Sequence, residues 1–410
     1  MQRRRPRLTR RGLGLQFPPS GCLTRLDDHH RHMRFATLLL LLLACDRQPG
    51  GDPSAPEGAT PVLHGTVDLT IGGVDEARNA FIFGYVSSLA LHPDGRILVA
   101  DNSTNDIRVF GPDGSYQYTL GRPGAGPGDL NRPCCLAIAA DGTLWARDVI
   151  NRRYSVFALG KDGAEFIRSV RQRVENPRGF LDRVAWDWHG RIVDIGHLGN
   201  GLQRAFLDSA GSPVRWDSIP SSPAESLAVM RLERKTAGAV GDVAYYYHYQ
   251  PHGPVELRAL GPNGETAEAV SSRYAVSWLD AERNRLALLE ATVAAPVLSE
   301  GERAAANQDL DELARDYGMA RSSLAFGVPA RKPILRGLYF DLDGRLWIER
   351  SVPDGQPRAA DVYDREGHLV STVTWPAHIR LHHGEVRGGT AVGVAVDSLG
   401  TNTVVRLLFR

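Results

Sequence analysis

Short runs of apolar and β-branched residues alternate with Asp-Gly turns along most of this chain. Between Val86 and Pro133, four such runs are separated by the turn Pro93-Asp94-Gly95, the polar loop Asp101 to Asp106 and the turn Pro112-Asp113-Gly114. Glycine tolerates the positive φ that a tight hairpin needs, so each turn joins two antiparallel strands. This stretch therefore predicts a unit of four short strands.

The same unit returns further along the chain. A displacement of 47 residues places Gly95 and Asp101 on Gly142 and Asp148. Paired glycine turns recur at Gly95 and Gly114, Gly142 and Gly163, Gly190 and Gly211, and Gly344 and Gly367. A weaker copy combines Gly241 and the strand Val243 to His248 with Leu260-Gly-Pro-Asn-Gly264, which resembles the turn that ends at Gly114. Repeats of this length are typical of propeller blades, whereas the alternative, an open all-β array or two β-sandwiches, needs no such self-similarity.

The C-terminal stretch His378 to Arg410 supplies a sixth unit that has only three strands. They cover residues 379–386, 390–396 and 403–409. The alternating segment Gly65 to Ile71 supplies the missing fourth strand, and its pairing with the last strand removes exposed sheet edges. The chain is therefore predicted to be an all-β, six-bladed β-propeller over residues 65–410, closed by an N-terminal strand.

This unit resembles an NHL repeat, and residues 65–410 are similar to bacterial six-bladed NHL-type propeller proteins. The resemblance is specific in the first two blades and around Leu335 to Val373, and it is weak in the fourth blade. It implies a ring of blades around a central channel. It implies no single activity, because NHL-type propellers include binding scaffolds as well as lyases and hydrolases.

The segment ahead of the propeller has the pattern of a lipoprotein signal. Residues 33–44 combine Met33-Arg34 with ten apolar or small residues, too few to span a membrane as a helix, and Leu42-Leu43-Ala44-Cys45 resembles a lipobox. We predict that Cys45 is lipidated, that residues 1–32 are a misassigned upstream extension and that residues 45–64 are a disordered tether. An ordinary secretory cleavage site near Ala44 is the alternative.

Charge and cysteine content narrow the possible partners. The formal net charge of +1 indicates no nucleic-acid partner, and we expect a monomer. Only Cys134 and Cys135 fall in the predicted propeller. A disulfide between neighbours would hold their Cα atoms about 3.8 Å apart, below the usual disulfide range. We therefore expect two thiols that enter the inner strand of the second blade, with a disulfide as the alternative.

The two faces of the ring differ in what they offer a ligand. The first-to-second and third-to-fourth strand turns share one face, named here the turn face, and consist of tight glycine turns. The second-to-third loops and the crossings between blades share the other, the loop face. Candidate ligand-binding residues on the loop face are Asp101, Asn105, Arg132, Asp148 and Arg152. As an alternative, Asp101 and Asp148 bind the backbone of their own loops.

An insertion at about residues 296–330 on the loop face is predicted to be helical. Ser299-Glu-Gly-Glu302 is a capping box, and Leu310, Leu313 and Tyr317 form one apolar stripe ahead of Gly318. Two placements remain open: a helix packed on the edge of a blade, or a lid over the channel mouth.

Histidine spacing gives no support for a metal site. His248 and His252, and likewise His378 and His382, are four residues apart in predicted strands, which separates each pair by about 13 Å. A zinc or calcium site built from different blades is the alternative. We predict no metal site and no cofactor.

These observations favour a lipid-anchored extracytoplasmic protein, facing the periplasm, that binds a small molecule or a protein on its loop face without catalysis. Its contact with the membrane is the lipid anchor alone. The alternative function is a metal-dependent hydrolase or lyase that resembles the lactonase or amidating-lyase propellers. The sequence does not identify the ligand or the membrane.

We predict that Cys45→Ser releases the protein from the membrane fraction, because the acyl chains on this residue hold it there. Cell fractionation and mass spectrometry of the N-terminal peptide measure the effect. Cys134→Ser is the control, since it leaves the lipobox intact. An unmodified chain that begins before residue 33, or a Cys45→Ser variant that fractionates with membranes, would contradict the anchor.

Overall fold

The computed structural model describes residues 60–73, 79–173, 184–187, 189–198, 201–220, 227–235, 243–397 and 400–410. The predicted extension, the signal peptide, Cys45 and most of the tether lie outside these residues. No helix in the described part of the chain is long and apolar enough to cross a membrane.

Strands account for most of the described chain, and they are grouped in sheets of successive strands. The first strand of the described residues is β1 (Val62–Ile71), which belongs to the last sheet. The first blade contains β2 (Val86–Leu91), β3 (Ile97–Asp101), β4 (Asp106–Phe110) and β5 (Tyr116–Leu120). The second contains β6 (Pro133–Ile138), β7 (Thr143–Asp148), β8 (Arg153–Leu159) and β9 (Ala164–Arg171). The third contains β10 (Ala185–Trp186), β11 (Ile192–Leu198), β12 (Gly201–Leu207) and β13 (Pro213–Ser218).

A separate hairpin of β14 (Val229–Lys235) and β15 (Val243–Tyr249) then precedes the fourth blade. The fourth blade contains β16 (Glu256–Leu260), β17 (Thr266–Val270), β18 (Ala275–Leu279) and β19 (Arg285–Glu290). Helix α1 (Glu300–Asp316) follows it. The fifth blade contains β20 (Leu335–Phe340), β21 (Leu346–Arg350), β22 (Arg358–Tyr363) and β23 (Leu369–Trp375). The sixth contains β24 (Ile379–Arg387), β25 (Thr390–Val396), β26 (Asn402–Phe409) and β1.

The first strand of each blade lies nearest the axis of the ring. β2 contacts both β6 and β24, and β20 contacts both β16 and β24. Every residue of β2 is buried, whereas the outer strand β9 alternates partly buried and exposed positions. Continuous burial therefore marks the inner strand β2, and alternating exposure marks the rim strand β9.

Apolar clusters between neighbouring blades hold the ring together. Separate clusters join blades one and two, two and three, three and four, four and five, and five and six. A further cluster joins the last blade to the first, where Val392 and Val404 pack with Leu89 and Val99. The chain thus forms a closed six-bladed ring with one helical insertion, which confirms the predicted fold class.

The predicted closing strand is present and covers two edges. Residues Gly65 to Ile71 of β1 pair antiparallel with β26, from Gly65 opposite Phe409 to Ile71 opposite Val404. The strand begins three residues before the predicted start, because Val62 to His64 pair in parallel with Thr372 to Thr374 of β23. β1 therefore joins the fifth and sixth blades as well as the chain ends.

The fourth repeat was assigned to the wrong segment. Val243 to Tyr249 pairs only with β14 and forms the extra hairpin, while Gly264 lies in the first-to-second turn of the blade rather than in its third-to-fourth turn. The third-to-fourth turn is Asp280 to Asn284, which has no glycine. The alternating Val-Ala-Tyr-Tyr-Tyr-His-Tyr pattern of the inserted hairpin has the same period as a blade strand, and this caused the error.

The expectation of two thiols in the second blade is also wrong. Cys134 and Cys135 are joined by a disulfide at the start of β6. Cys135 has a φ of 57°, a left-handed conformation that few non-glycine residues adopt. The pairing of β6 with β7 is irregular between Cys134 and Ala137, so a bulge accommodates the linked pair.

We predict that removal of β1 causes aggregation. A chain that starts at residue 73 leaves the edges of β23 and β26 unpaired, whereas a chain that starts at residue 60 retains both pairings. Light scattering after size-exclusion chromatography and thermal unfolding compare the two. If the shorter chain stays monomeric with unchanged thermal stability, β1 does not close the ring.

Candidate functional site

The loop face carries two insertions that pack against each other. Met230 of the hairpin contacts Leu310, Ala314 and Leu324 in a small apolar cluster. His248 on β15 lies 3.0 Å from the Tyr317 hydroxyl, measured from Nε2 to Oη. The predicted apolar stripe of the helix therefore faces the inserted hairpin, which neither of the two expected placements includes. We call β14, β15 and residues 300–328 the cap.

The start of the helix is fixed to the fifth blade. The predicted capping box is confirmed, since Ser299 and Glu302 hydrogen-bond each other's backbone N–H. Ser299 Oγ also donates to Asp354 Oδ2 at 2.9 Å, and Lys332 Nζ donates to the Val352 carbonyl oxygen at 3.0 Å. Asp354 and Val352 both lie in the loop between β21 and β22, so the cap stands beside the loop-face end of the fifth blade.

The two carboxylates predicted for the ligand face are turned inward. Asp101 is fully buried, and its carboxylate accepts backbone N–H groups from Gly84, Tyr85 and Ser103 at 2.9 to 3.0 Å. It binds the loop and the crossing that flank its own blade, as the alternative interpretation holds.

Asp148 occupies the same position in the second blade and likewise binds the loop and the crossing beside its strand. It is fully buried and accepts from the Asn131 backbone at 2.8 Å and from Asn151 Nδ2 and Arg153 Nε at 2.8 Å each. The two carboxylates therefore stabilise successive crossings and do not meet at the channel mouth.

The other three predicted residues, Asn105, Arg132 and Arg152, also lie on the loop face. One of them binds a backbone N–H group, and the other two are exposed. The Asn105 side-chain oxygen accepts the Arg132 backbone N–H at 2.6 Å, which ties the first blade to the second. Arg132 and Arg152 are exposed, and all three residues have a positive φ, between 52° and 57°.

A second group of polar residues, which the sequence did not reveal, lies in the fifth and sixth blades. We call Arg336, Glu349, Arg358 and Arg380 the arginine site. Glu349 is buried, and its Oε1 lies 2.8 Å from Arg358 Nη1 and 3.3 Å from Arg336 Nε. Arg336 and Arg380 are the second residues of the innermost strands β20 and β24, so they mark the loop-face end of the axis.

Local backbone structure exposes Arg336. Leu335 pairs with Arg350 and Gly337 pairs with Glu349, so Arg336 is the extra residue of a bulge. Bulges re-aim side chains at the rims of sheets, and the Arg336 side chain is 55% exposed although its neighbour Leu335 is fully buried.

In the arginine site, burial and the neighbouring charges both shift the pKa values of Glu349 and Arg336. Burial raises the pKa of Glu349, and the neighbouring Arg358 and Arg336 oppose that shift. Partial burial lowers the pKa of Arg336; Arg358 and Arg380 add to this shift, and Glu349 opposes it. Two guanidinium groups thus share the Glu349 carboxylate, and with the charge of Arg380 acting on Arg336 the site has an excess of positive charge.

A sequence signal for this site exists in the repeat itself. Counted from the turn glycine, Asp101, Asp148 and Arg350 occupy equivalent positions. The fifth blade therefore has an arginine where the first two have their loop-binding aspartate, and its carboxylate, Glu349, comes one residue earlier. This departure from the repeat could have identified the site.

A groove of about 580 Å³ adjoins the start of β20. It is lined by Arg273, Tyr274, Glu290, Val293 and Ile334, among others. Its volume is within the range of small-molecule sites. The Tyr274 hydroxyl donates to Asp361 Oδ2 at 2.8 Å, and burial raises the pKa of Tyr274.

The described residues include no group of three or more His, Cys, Asp or Glu side chains arranged to hold a metal ion. Of the histidines considered above, His248 contacts Tyr317 through its ring.

We predict that Asp148→Ala lowers the free energy of unfolding by about 2–4 kcal/mol, because it leaves buried N–H donors without an acceptor. Urea unfolding measures the change. Asp141→Ala, in a turn of the same blade where the carboxylate is exposed and binds only Thr143, is the control and should cost less than about 1 kcal/mol. Equal stability of the two variants would reopen a direct ligand role for Asp148.

Comparison with known proteins supports the fold and leaves the activity open. Residues 76–141 match the DUF5128 family, which is described as a 6-bladed beta-propeller. No curated protein matches the chain. Virginiamycin B lyase from Staphylococcus aureus is a structural neighbour at 12% identity and a TM-score of 0.42, over 83% of this chain and 98% of that one.

Two further solved structures are similar at the same level. A putative exported protein from Bacteroides fragilis has 8% identity and a TM-score of 0.44, over 85% of this chain and 98% of that one. The PQQ-bound aldose sugar dehydrogenase from Streptomyces coelicolor has 12% identity and a TM-score of 0.44, over 86% of this chain and all of that one. With its closed ring of four-stranded sheets and the family match over the first of them, the chain is a six-bladed β-propeller.

Proposed function

We propose that this protein is a non-catalytic binding protein that holds a ligand with an anionic group on its loop face, at the arginine site. We also propose that it works outside the cytoplasm, facing the periplasm and held at a membrane by acyl chains on Cys45. The ligand-binding surface proposed here lies in blades five and six, because Asp101 and Asp148 of the first two blades are committed to their loops.

The half-exposed side chain of Arg336 carries this proposal. Glu349 lies beside Nε, and within the described chain no residue hydrogen-bonds Nη1 or Nη2 of Arg336. A guanidinium with two outward N–H groups can bind a carboxylate or phosphate through two parallel hydrogen bonds. Arg336 therefore offers the geometry that an anion requires.

The partners of Arg336 favour an anion over a cation. Arg358 is buried, with Nε donating to the Ala377 carbonyl oxygen at 2.9 Å and Nη1 donating to Glu349, so it is held in place. Arg380 is exposed on the adjacent innermost strand. Since the one carboxylate of the site is buried beneath the guanidinium groups, the surface presented to a ligand is positive.

The groove and the cap would contact the remainder of such a ligand. Ile334, which lines the groove, is separated from Arg336 by only Leu335 along β20. The groove combines the ring of Tyr274 and the side chain of Val293 with the charged groups of Arg273 and Glu290. Apolar walls with a few charged groups are typical of sites for small organic molecules.

We predict that Arg336→Gln weakens binding of small anions at least about tenfold, since a charge-assisted hydrogen bond contributes about 1.5–3 kcal/mol. Isothermal titration calorimetry with inorganic phosphate and with succinate measures the effect, and a neutral sugar serves as the negative probe.

Arg365→Gln is the matched control for this measurement. Arg365 has the same exposed fraction, 55%, and also pairs with a buried carboxylate, Glu265, but it lies on the turn face. This variant should bind the anions as the unaltered protein does. Anion binding that is lost equally in both variants, or that neither variant changes, would overturn the assignment to Arg336.

A further inference from the structure

The Cys134–Cys135 disulfide lies at the loop-face end of the innermost strand of the second blade. Cys134 is the second residue of β6, the position that Arg336 holds in β20. The disulfide is not part of the proposed anion site, and neither cysteine is among the predicted ligand-binding residues. It therefore requires a separate explanation.

The two sulfur atoms differ in accessibility. Cys134 is partly exposed, whereas Cys135 is only 1% exposed and belongs to the apolar cluster between the second and third blades. A thiolate from solution that approaches the disulfide therefore meets Cys134 first. Because exchange proceeds by attack on one sulfur and departure of the other, Cys135 is the leaving group.

A buried cation lies beside the leaving group. Arg147 Nη1 donates to Cys135 Sγ at 3.4 Å, and Arg147 is fully buried. A neighbouring guanidinium stabilises a thiolate relative to a thiol, which makes that sulfur a better leaving group.

Arg147 is held in place by the third blade. Its Nη2 is ion-paired with Asp194, which also accepts the Tyr154 hydroxyl, and the guanidinium lies 5.9 Å from the centre of the Tyr154 ring. Burial raises the pKa of Asp194 against the opposing effect of Arg147. The cation is thus held beside Cys135 by contacts that do not involve the disulfide.

The backbone around the disulfide is held independently of it. Ser87 Oγ of the first blade donates to the Pro133 carbonyl oxygen at 2.6 Å, and the Leu136 backbone N–H donates to Ser88 Oγ at 3.0 Å. These contacts bracket the two cysteines. Two thiols formed by reduction would therefore remain side by side and could be joined again.

We propose that Cys134–Cys135 is a thiol–disulfide exchange site that accepts electrons from a dithiol arriving at the loop face. A thiolate of the dithiol attacks Cys134 Sγ, the bond between the cysteines breaks, and Cys135 leaves as a thiolate beside Arg147. The second thiol of the donor then attacks the mixed disulfide and releases Cys134. The donor ends as a disulfide, and its two protons end on Cys134 and Cys135, so atoms and electrons balance. This inference does not depend on the proposed anion binding.

The test uses the full chain, folded, with dithiothreitol as the dithiol. After reduction and alkylation with N-ethylmaleimide, trypsin yields the peptide 109–147, because the Arg-Pro bonds at Arg122 and Arg132 resist cleavage, and this peptide contains no other cysteine. We expect both cysteines to be alkylated without denaturant, and the disulfide to return when the reductant is replaced by oxidised glutathione. A pair that stays as free thiols in oxidised glutathione, or a disulfide reduced only after unfolding in guanidinium, overturns the proposal.

A pair of single variants tests the direction of attack. Cys135→Ser leaves only Cys134 in the site, and Cys134→Ser leaves only Cys135. The rate of reaction with an aromatic disulfide reagent, followed in peptide 109–147, should be about tenfold higher for Cys134, because exposure governs access to the thiol. A faster reaction at Cys135 would overturn the order of steps, and circular dichroism verifies that both variants are folded.

Discussion

The pairing of β1 with two other strands is the constraint on which the rest of this structure depends. Each blade has an apolar cluster on both sides, so no blade is complete until the ring is closed. β1 supplies the outer strand of the sixth blade through its antiparallel pairing with β26, and its first residues pair in parallel with β23. Backbone hydrogen bonds between His64 and Arg410 join the two ends of the described chain. β1 also contributes side chains to the clusters on both sides of the sixth blade, Leu63 to one and Ile71 to the other.

Closure of this kind leaves the crossings between blades free to vary. The turns on the other face are fixed by short hairpin geometry, as at Gly95 and Gly142, whose φ values are 90° and 82°. The crossings that follow the third and fourth blades instead hold a hairpin and a helix, which pack on each other. Because neither insertion interrupts a blade, the ring accommodates them, and they place new surface beside the arginine site.

Much of the fold could be predicted from the sequence because local and global signals agree in most blades. The Asp-Gly turns, the apolar inner strands and the alternating pattern of β1 all indicate the same structure, a closed ring of four-stranded blades. The fourth blade could not be located, since the inserted β15 has the period of a true strand and Asp280 to Asn284 lacks the turn glycine. In that region the local pattern alone does not distinguish the inserted strand β15 from a strand of the blade. Packing against the rest of the ring determines which segment forms the blade.

The candidate site was harder to predict for physical reasons. Asp101 and Asp148 are equivalent carboxylates, a pattern that suggests a shared binding site. Their repetition instead reflects a repeated structural requirement, which is to bind the loop backbone. Arg336 depends on a bulge, and Cys134 and Cys135 depend on a positive φ at Cys135; neither feature has a reliable sequence signature. Departures from the repeat, such as Arg350 in place of the aspartate, carry more information about function than its regularities.

The direction of β1 determines on which side of the ring this strand begins. The Phe409 backbone N–H donates to the Gly389 carbonyl oxygen, in a turn of the turn face, and Gly65 pairs with Phe409. The strand therefore enters the ring from the turn-face side of its rim. The loop face, with the cap, the arginine site and the disulfide, therefore lies on the opposite side of the ring from the point where β1 begins.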